Sequence, residues 1–319
     1  MDSHGLKKTY IHAPPIPPPL SRLQRAKRVL AGIILSPTYW LLAYQHRVPG
    51  LNFHRSAALL ALHLLFSQKA RVPYNLIYHL LFWPMDSTRY FEFDFMWKAL
   101  KLAQAGSYLD VSSPRLFPIT LLMQKSLSAD LINPDRRDLD VTALLIKALG
   151  LADHCRLHDC LIEATPLEAE SFDVITSISV IEHIPRDTQA VQKMWDLLKP
   201  GGRLLLSVPC AAEASAQYIN YNQYGILEPD NEGFVFWQRL YDPQLLQKEI
   251  FGVTGLPHRY AIYGENKSGF ISKNSEHKRA SREYPLWREP YMMGQEFGYF
   301  ETISDLPGEG VIALEFIKP

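Results

Sequence analysis

Four carboxylates and one histidine fall at intervals that suit recognition of a ligand rich in hydroxyls and amines. Asp110 lies in an apolar run, Asp130 follows 20 residues later, Asp159 closes a third run with Cys160 beside it, and Glu182-His183 come just after Ser177–Ser179. An ionised carboxylate accepts from both hydroxyls of a ribose diol at once, and an acid placed about 20 residues after the first strand turn suits that task. An acid after the third strand can accept from an adenine amino group. Any single acid at a strand end is more often a turn former or a helix cap, so the weight rests on the ordered set. His183 is a candidate general base, its reference pKa lying at about 6.5. Its alternative role is to order its own loop by hydrogen bonds.

Positioning such a set requires strands that end on one edge. Ser107–Val111, Leu127–Ile132, Cys155–His158 and Phe172–Ser177 read as short strands, and Arg203–Pro209 (RLLLSVP) as a continuous apolar one. Runs of that kind are typical of parallel strands buried on both faces. Helical stretches separate them near Pro118–Lys125, over Val141–Leu149 and over Asp187–Leu198, where Val191, Met194, Leu197 and Leu198 recur at helical spacing and Asp187 can cap the start. The alternation implies βαβ units and a doubly wound, mostly parallel α/β sheet, with ligands bound outside the carboxyl ends of the strands.

Three linked motifs then give the chain a family likeness. Ser171-Phe172-Asp173-Val174-Ile175, Val180-Ile181-Glu182-His183-Ile184 and Leu197-Leu198-Lys199-Pro200-Gly201-Gly202 resemble the pattern of the class I S-adenosylmethionine-dependent methyltransferases, especially their small-molecule subgroup. The likeness runs from about Ser107 to Pro209 and more weakly onward, through Tyr241–Leu246 and the last strand at Gly310–Lys318. It implies a seven-stranded, Rossmann-like methyltransferase fold and S-adenosylmethionine as cofactor. It also implies that Asp110 lies near the methionine end of the cofactor and Asp130 at the ribose. Asp159 and Cys160 would meet the adenine, and Ser177, Ile178 and Ser179 would line the cofactor where the fourth strand ends. The first loop departs from the family. Asp110-Val111-Ser112-Ser113-Pro114-Arg115-Leu116-Phe117 contains no glycine, although backbone there must approach the ligand and adopt positive φ. Ser112 and Ser113, small and hydroxylated, are expected to cradle the cofactor by another backbone path. The alternative is a non-catalytic module of the same fold. Where some relatives hold a metal with E-x-x-E-H, this chain has Ser179 in the first position, so no metal is expected.

Acceptor recognition is assigned to the segment 211–240, where Tyr218, Tyr221, Tyr224 and Trp237 interleave with amides. Aromatic faces beside amides suit a planar or sugar-like molecule, and an ordinary packed cap is the competing reading. The expected reaction is methyl transfer to a small-molecule, glycan or lipid-linked acceptor. A second aromatic insertion spans 267–300, with a basic, solvated portion at Lys273–Arg282. A nicotinamide dehydrogenase is disfavoured by the missing G-x-G-x-x-G. Nucleic acid is not an expected partner, because the basic N-terminal region is too apolar for a phosphate-binding arm.

The remaining residues, 1–100, form the other expected unit: a proline-rich arm (Ala13–Leu20) and apolar helices at Val29–Tyr44, Ser56–Phe66 and Tyr74–Phe82, ahead of the domain at 101–319. Net charge is zero, yet Met1–Lys101 holds 13 Lys/Arg against four Asp/Glu. This asymmetry points to an anionic surface or to the acidic remainder of the chain. Val29–Tyr44 falls short of the roughly 20 residues that span a bilayer and is interrupted by Pro37. A buried hairpin is the first expectation for it, and peripheral membrane contact through residues 25–47 the second. Three cysteines, Cys155, Cys160 and Cys210, make no disulfide framework or zinc site, which suits a reducing cytoplasm.

Overall fold

The computed structural model describes residues 5–13, 18–67, 70–101, 106–124, 127–221, 225–273 and 286–319. The apolar runs pair as the alternation predicts. Strands β2 (Ser107–Val111), β3 (Ser128–Ile132), β4 (Cys155–His158), β5 (Phe172–Ile178) and β6 (Leu198–Cys210) are mutually parallel, in the order β6-β5-β2-β3-β4. Beyond β6 lie β11 (Gly310–Ile317), antiparallel to both its neighbours, then β9 (Arg259–Glu265) and β10 (Phe297–Phe300). The sheet thus has eight strands rather than seven. The extra one comes from the second aromatic insertion, whose Phe297 and Tyr299 pair with Glu265 and Tyr263 on β9. Residues 274–285, which hold most of the basic portion of that insertion, lie outside the described residues.

The chain leaves β2 toward β3 and β4 and returns on the other side of β2 with β5. That reversal is the topological switch point, where adjacent connections leave in opposite directions and open a crevice at the carboxyl ends.

Helices cover both faces. Under one lie α7 (Asp187–Leu197) and the turns at 243–254, burying Val191, Met194 and Leu197 against Leu109, Ile175 and Leu204. The other face is covered by α4 (Arg89–Lys101), α5 (Leu116–Gln124) and α6 (Arg136–Leu149), together with the N-terminal helices α2 (Leu51–Phe66) and α3 (Tyr74–Phe82). Phe53 of α2 meets Phe93 and Trp97 of α4 and Phe117 of α5, with ring centroids 5.2, 5.3 and 5.8 Å away. The region ahead of residue 101 therefore shares its core with the sheet. Gly50 fixes the entry to α2. Its φ is +70°, and a Cβ there would lie 2.1 Å from the carbonyl oxygen of Tyr90.

Helix α1 (Arg22–Gln45) is longer than its apolar stretch. Ser21 caps it, accepting from the Gln24 amide while the Gln24 side chain accepts from the Ser21 amide. This reciprocal box starts the helix seven residues before its first aliphatic run. The proline-rich arm also carries a strand ahead of it. β1 (Lys7–Ile11) runs parallel to β7 (Ser215–Ile219), which pairs in turn with β8 (Val235–Leu240). These three strands make a second, small sheet, in which β1 of the N-terminal arm adds to the antiparallel pair β7 and β8.

Candidate functional site

A cleft of about 400 Å³ opens at the carboxyl ends of the strands flanking the switch point. Each successive strand end contributes one wall: Val111–Pro114 after β2, Asn133–Asp135 after β3, Leu161–Glu163 after β4, and Ser179, Val180 and His183–Pro185 after β5. The small sheet covers it with Ile219, Val235, Phe236 and Trp237.

The glycine-free loop is built by Asp110 from beneath. Its buried carboxylate accepts from the Ser113 amide at 3.0 Å, the Thr176 hydroxyl at 2.7 Å and the Tyr108 hydroxyl at 3.1 Å. Burial pushes the Asp110 pKa up, and those three donors pull the other way. Ser112 takes φ +54°, the left-handed conformation expected of glycine, and its amide and hydroxyl both donate to the Ile132 carbonyl. Ser113 accepts from the Ile178 amide at 3.1 Å. Side-chain and backbone bonds to neighbouring strands thus hold the turn that glycine would permit more cheaply.

At the end of β5, Ser179 also has positive φ, +46°. Its hydroxyl donates to Glu92, as does that of Ser207. Glu92 is fully buried on α4 and pairs with Arg89 at 2.7 Å. Arg89 itself lines the cleft. The N-terminal region thereby supplies a guanidinium to the site that sequence reasoning missed. Its only signal was the pair Arg89 and Glu92, spaced three apart in a largely apolar stretch.

His183 Nδ1 lies 2.5 Å from the Trp237 carbonyl. A carbonyl only accepts, so Nδ1 carries the proton and Nε2 carries the lone pair. Burial lowers its pKa to about 4, keeping the ring neutral near pH 7. Glu182, 3.8 Å from Nε2, is raised to about 8 by the same desolvation. Strand β8 fixes this loop a second time. Arg239 donates to the carbonyls of Ile184 and Pro185 at 2.9 and 3.1 Å and pairs with Asp187 at 2.7 Å.

Several expected residues sit elsewhere. Asp130 is buried but outside the cleft walls. Arg156 donates to it twice, at 2.9 and 2.7 Å, and His158 lies at 2.6 Å. Burial opposes its ionisation, yet the hydrogen bonds with Arg156 and His158 outweigh it and lower the Asp130 pKa. Its place along the strand is the reason it misses the cleft: Asp130 lies in the middle of β3, three residues before the first wall residue, Asn133, and beside Arg156 of β4. Asp159 pairs with the exposed Arg136 at 2.9 Å, and neither it nor Cys160 lines the cleft. They precede the turn that does. Ser177 is buried, its hydroxyl donating to the Val111 carbonyl. Ser112, Ser113, Ser179, His183 and Trp237 are brought together. Tyr218 instead faces Tyr10 of the arm, at 5.5 Å, and Tyr221 is not a cleft residue. Tyr224 lies outside the described residues.

Other groups suited to a nucleoside do line the cleft. Glu163 presents a carboxylate whose Oε2 is buried with no hydrogen-bond partner among the described residues. A buried acceptor left unmet is costly, so the atom is suited to a ligand's donor. Asp135 lies after β3 and caps α6, accepting from the Arg137 amide. Among the described residues no cluster of three His, Cys, Asp or Glu could hold a metal ion.

Residues 121–206 match the family model described as a methyltransferase domain. A segment of 59 residues is 41% identical to the ubiquinone biosynthesis O-methyltransferase of Xanthomonas axonopodis pv. citri (strain 306). The match covers 16% of this chain, which spans about a quarter (25%) of that curated relative. The crystal structure of MccD protein superposes with a TM-score of 0.50 at 11% identity, over 74% of this chain and 100% of that one. That of geranyl diphosphate C-methyltransferase from Streptomyces coelicolor A3(2) has a TM-score of 0.46 at 11% identity, over 72% and 77%. With the motifs at Ser171, Glu182 and Lys199 inside the matched segment, residues 121–206 carry a methyltransferase domain.

Proposed function

We propose that the protein transfers a methyl group from S-adenosylmethionine to a small acceptor with an apolar part, lipid-linked compounds included. The convergence of four successive strand ends on one cleft carries this reading. When bound, S-adenosylmethionine supplies a methyl carbon activated on a sulfonium, so the protein's task is alignment. Ser112 and Ser113 would hold its amino-acid end, Asp135 its ribose and Glu163 its adenine amine. The residues fit: an orphaned carboxylate oxygen, a left-handed serine turn and a cap acid line three adjoining walls of one cleft.

His183 Nε2 is the atom placed to accept a proton from an acceptor hydroxyl or amine. A base of pKa about 4 is weak against a neutral alcohol. It suffices once bond formation has made that proton acidic, so transfer is late. Trp237 and Phe236 close the cleft above it. A second cavity, of about 380 Å³, shares Arg89, Pro114 and Asp138 with the cleft and is walled by Leu60, Leu80, Trp83, Met85, Phe93 and Leu145. Most of its lining is apolar, although His79, Asp86 and Arg115 also border it, and that supports an acceptor carrying a hydrocarbon portion over a glycan. Action at the cytoplasmic side of a membrane is consistent with it.

The test is transfer of a radiolabelled methyl group from S-adenosylmethionine to paired phenols and amines, with and without an alkyl chain. The chain-bearing members should turn over faster. Donor binding without transfer to any of them would favour the non-catalytic module.

A further inference from the structure

We propose that the outward face of α1 docks on an anionic phospholipid bilayer and lies in its interface. Leu23, Ala26, Leu30, Ile33, Ile34, Pro37, Leu41 and Tyr44 recur every three or four residues, and all are exposed. Leu30, Ile34 and Tyr44 are 59, 62 and 64% exposed. A stripe of that spacing over 22 residues is about 32 Å long. Aliphatic surface of that extent is seldom left to water.

The helix cannot turn this face inward, because its other side is already used. Gly32 sits against Phe82, where a Cβ would lie 2.9 Å from the ring, Ala43 is buried, and Tyr39 meets Tyr291 at 5.8 Å. Pro37 lacks the amide that would bond to the Ile33 carbonyl on this exposed side of the helix.

Charge selects the occupant. Arg22, Arg25, Lys27 and Arg28 stand at the start of α1 and Arg47 just past its end, and no Asp or Glu occurs between Ser3 and Met85. A second copy of this chain, packed by a two-fold axis on the same stripe, would set bases against bases with no acid of α1–α3 to neutralise them. Anionic headgroups meet the flanking bases while the stripe enters the acyl boundary. No helix among the described residues is long and apolar enough to cross a membrane, so α1 lies on the surface.

The test is flotation of the full chain with vesicles of phosphatidylcholine alone and of phosphatidylcholine mixed equally with phosphatidylglycerol, without donor or acceptor. The chain should float with the mixed vesicles and release in high salt. Each base removed, as in Lys27→Gln or Arg25→Gln, should weaken partition roughly fivefold. The triple variant Leu30→Glu, Ile34→Glu, Leu41→Glu should lose flotation while keeping its thermal unfolding midpoint and its uptake of S-adenosylmethionine. Failure of the parent chain to float would overturn the proposal, as would equal flotation of the triple variant. A dimer in analytical ultracentrifugation that the triple variant abolishes, with no flotation of the parent, would assign the stripe to a second copy instead.

Discussion

Replacing Asp110 with alanine isolates the device that shapes the serine loop. The carboxylate holds the Ser113 amide and two buried hydroxyls, those of Thr176 and Tyr108. The two hydroxyls lie 2.6 Å apart and can bond to each other, which consumes one of their two protons. Alanine therefore orphans one hydroxyl proton and the Ser113 amide. At about 1–3 kcal/mol for each buried group left unmet, and with relief from burying a carboxylate offsetting part of it, the net loss is about 3 kcal/mol. At about 2.1 cal/mol/K of unfolding entropy per residue, a chain of 319 residues loses roughly 1.5 °C per kcal/mol, so the unfolding midpoint falls by about 4–5 °C. Asp110→Asn should lose less, because its carbonyl can still accept from Ser113 while its amide donates to the hydroxyls. Differential scanning fluorimetry reads the midpoint, and calorimetric titration of S-adenosylmethionine reads the loop. An alanine variant with an unshifted midpoint and full donor affinity would refute the claim that Asp110 organises this turn.

Other outcomes follow from the same geometry. Glu163→Gln should weaken binding of S-adenosylmethionine by about 10- to 100-fold in calorimetry, the value of a hydrogen bond to a charged acceptor, with little change in stability. Asp130→Ala should leave donor affinity intact and lower the unfolding midpoint, because it strips Arg156 and His158 of their shared partner. Acid unfolding should set in early. The folded-state pKa values of His54 and His183, each lowered to about 4 by burial, make the unfolded chain bind more protons below about pH 6.5, so stability is present above that pH and is lost as pH falls toward 4. Glu182, raised to about 8, works in the opposite sense: its contribution is present below the ordinary carboxylate range and is lost as pH rises through 8. Glu182→Gln should therefore flatten the alkaline limb of a midpoint-against-pH curve.

The fold was legible because apolar runs at β2, β5 and β6 and amphipathic spacing at α7 are dictated by burial on both faces of a sheet. The eighth strand was not, since Phe297–Phe300 has four residues and becomes a strand only where β9 offers an edge. Helix α1 was cut short because Arg22–Arg28 is polar and only the Ser21–Gln24 box marks its start. In the site, residues fixed by local backbone, Ser112, Ser113, Ser179 and His183, line one cleft. Asp130 lies outside it, because it sits in the middle of β3 and not at its carboxyl end, and a spacing of about 20 along the chain does not say where a strand ends. Arg89 and Glu92 were hidden because their role depends on α4 packing beside β5 and β6, a contact between residues 87 to 115 apart in sequence.

The central claim is that the cleft at the switch point holds the donor. Calorimetric titration of S-adenosylmethionine into the parent chain, Glu163→Gln and Asp130→Ala tests it in one experiment. A single saturable site, weakened by the first substitution and untouched by the second, is the expected result. No saturable heat with the parent, or a loss of affinity in Asp130→Ala with none in Glu163→Gln, would contradict it.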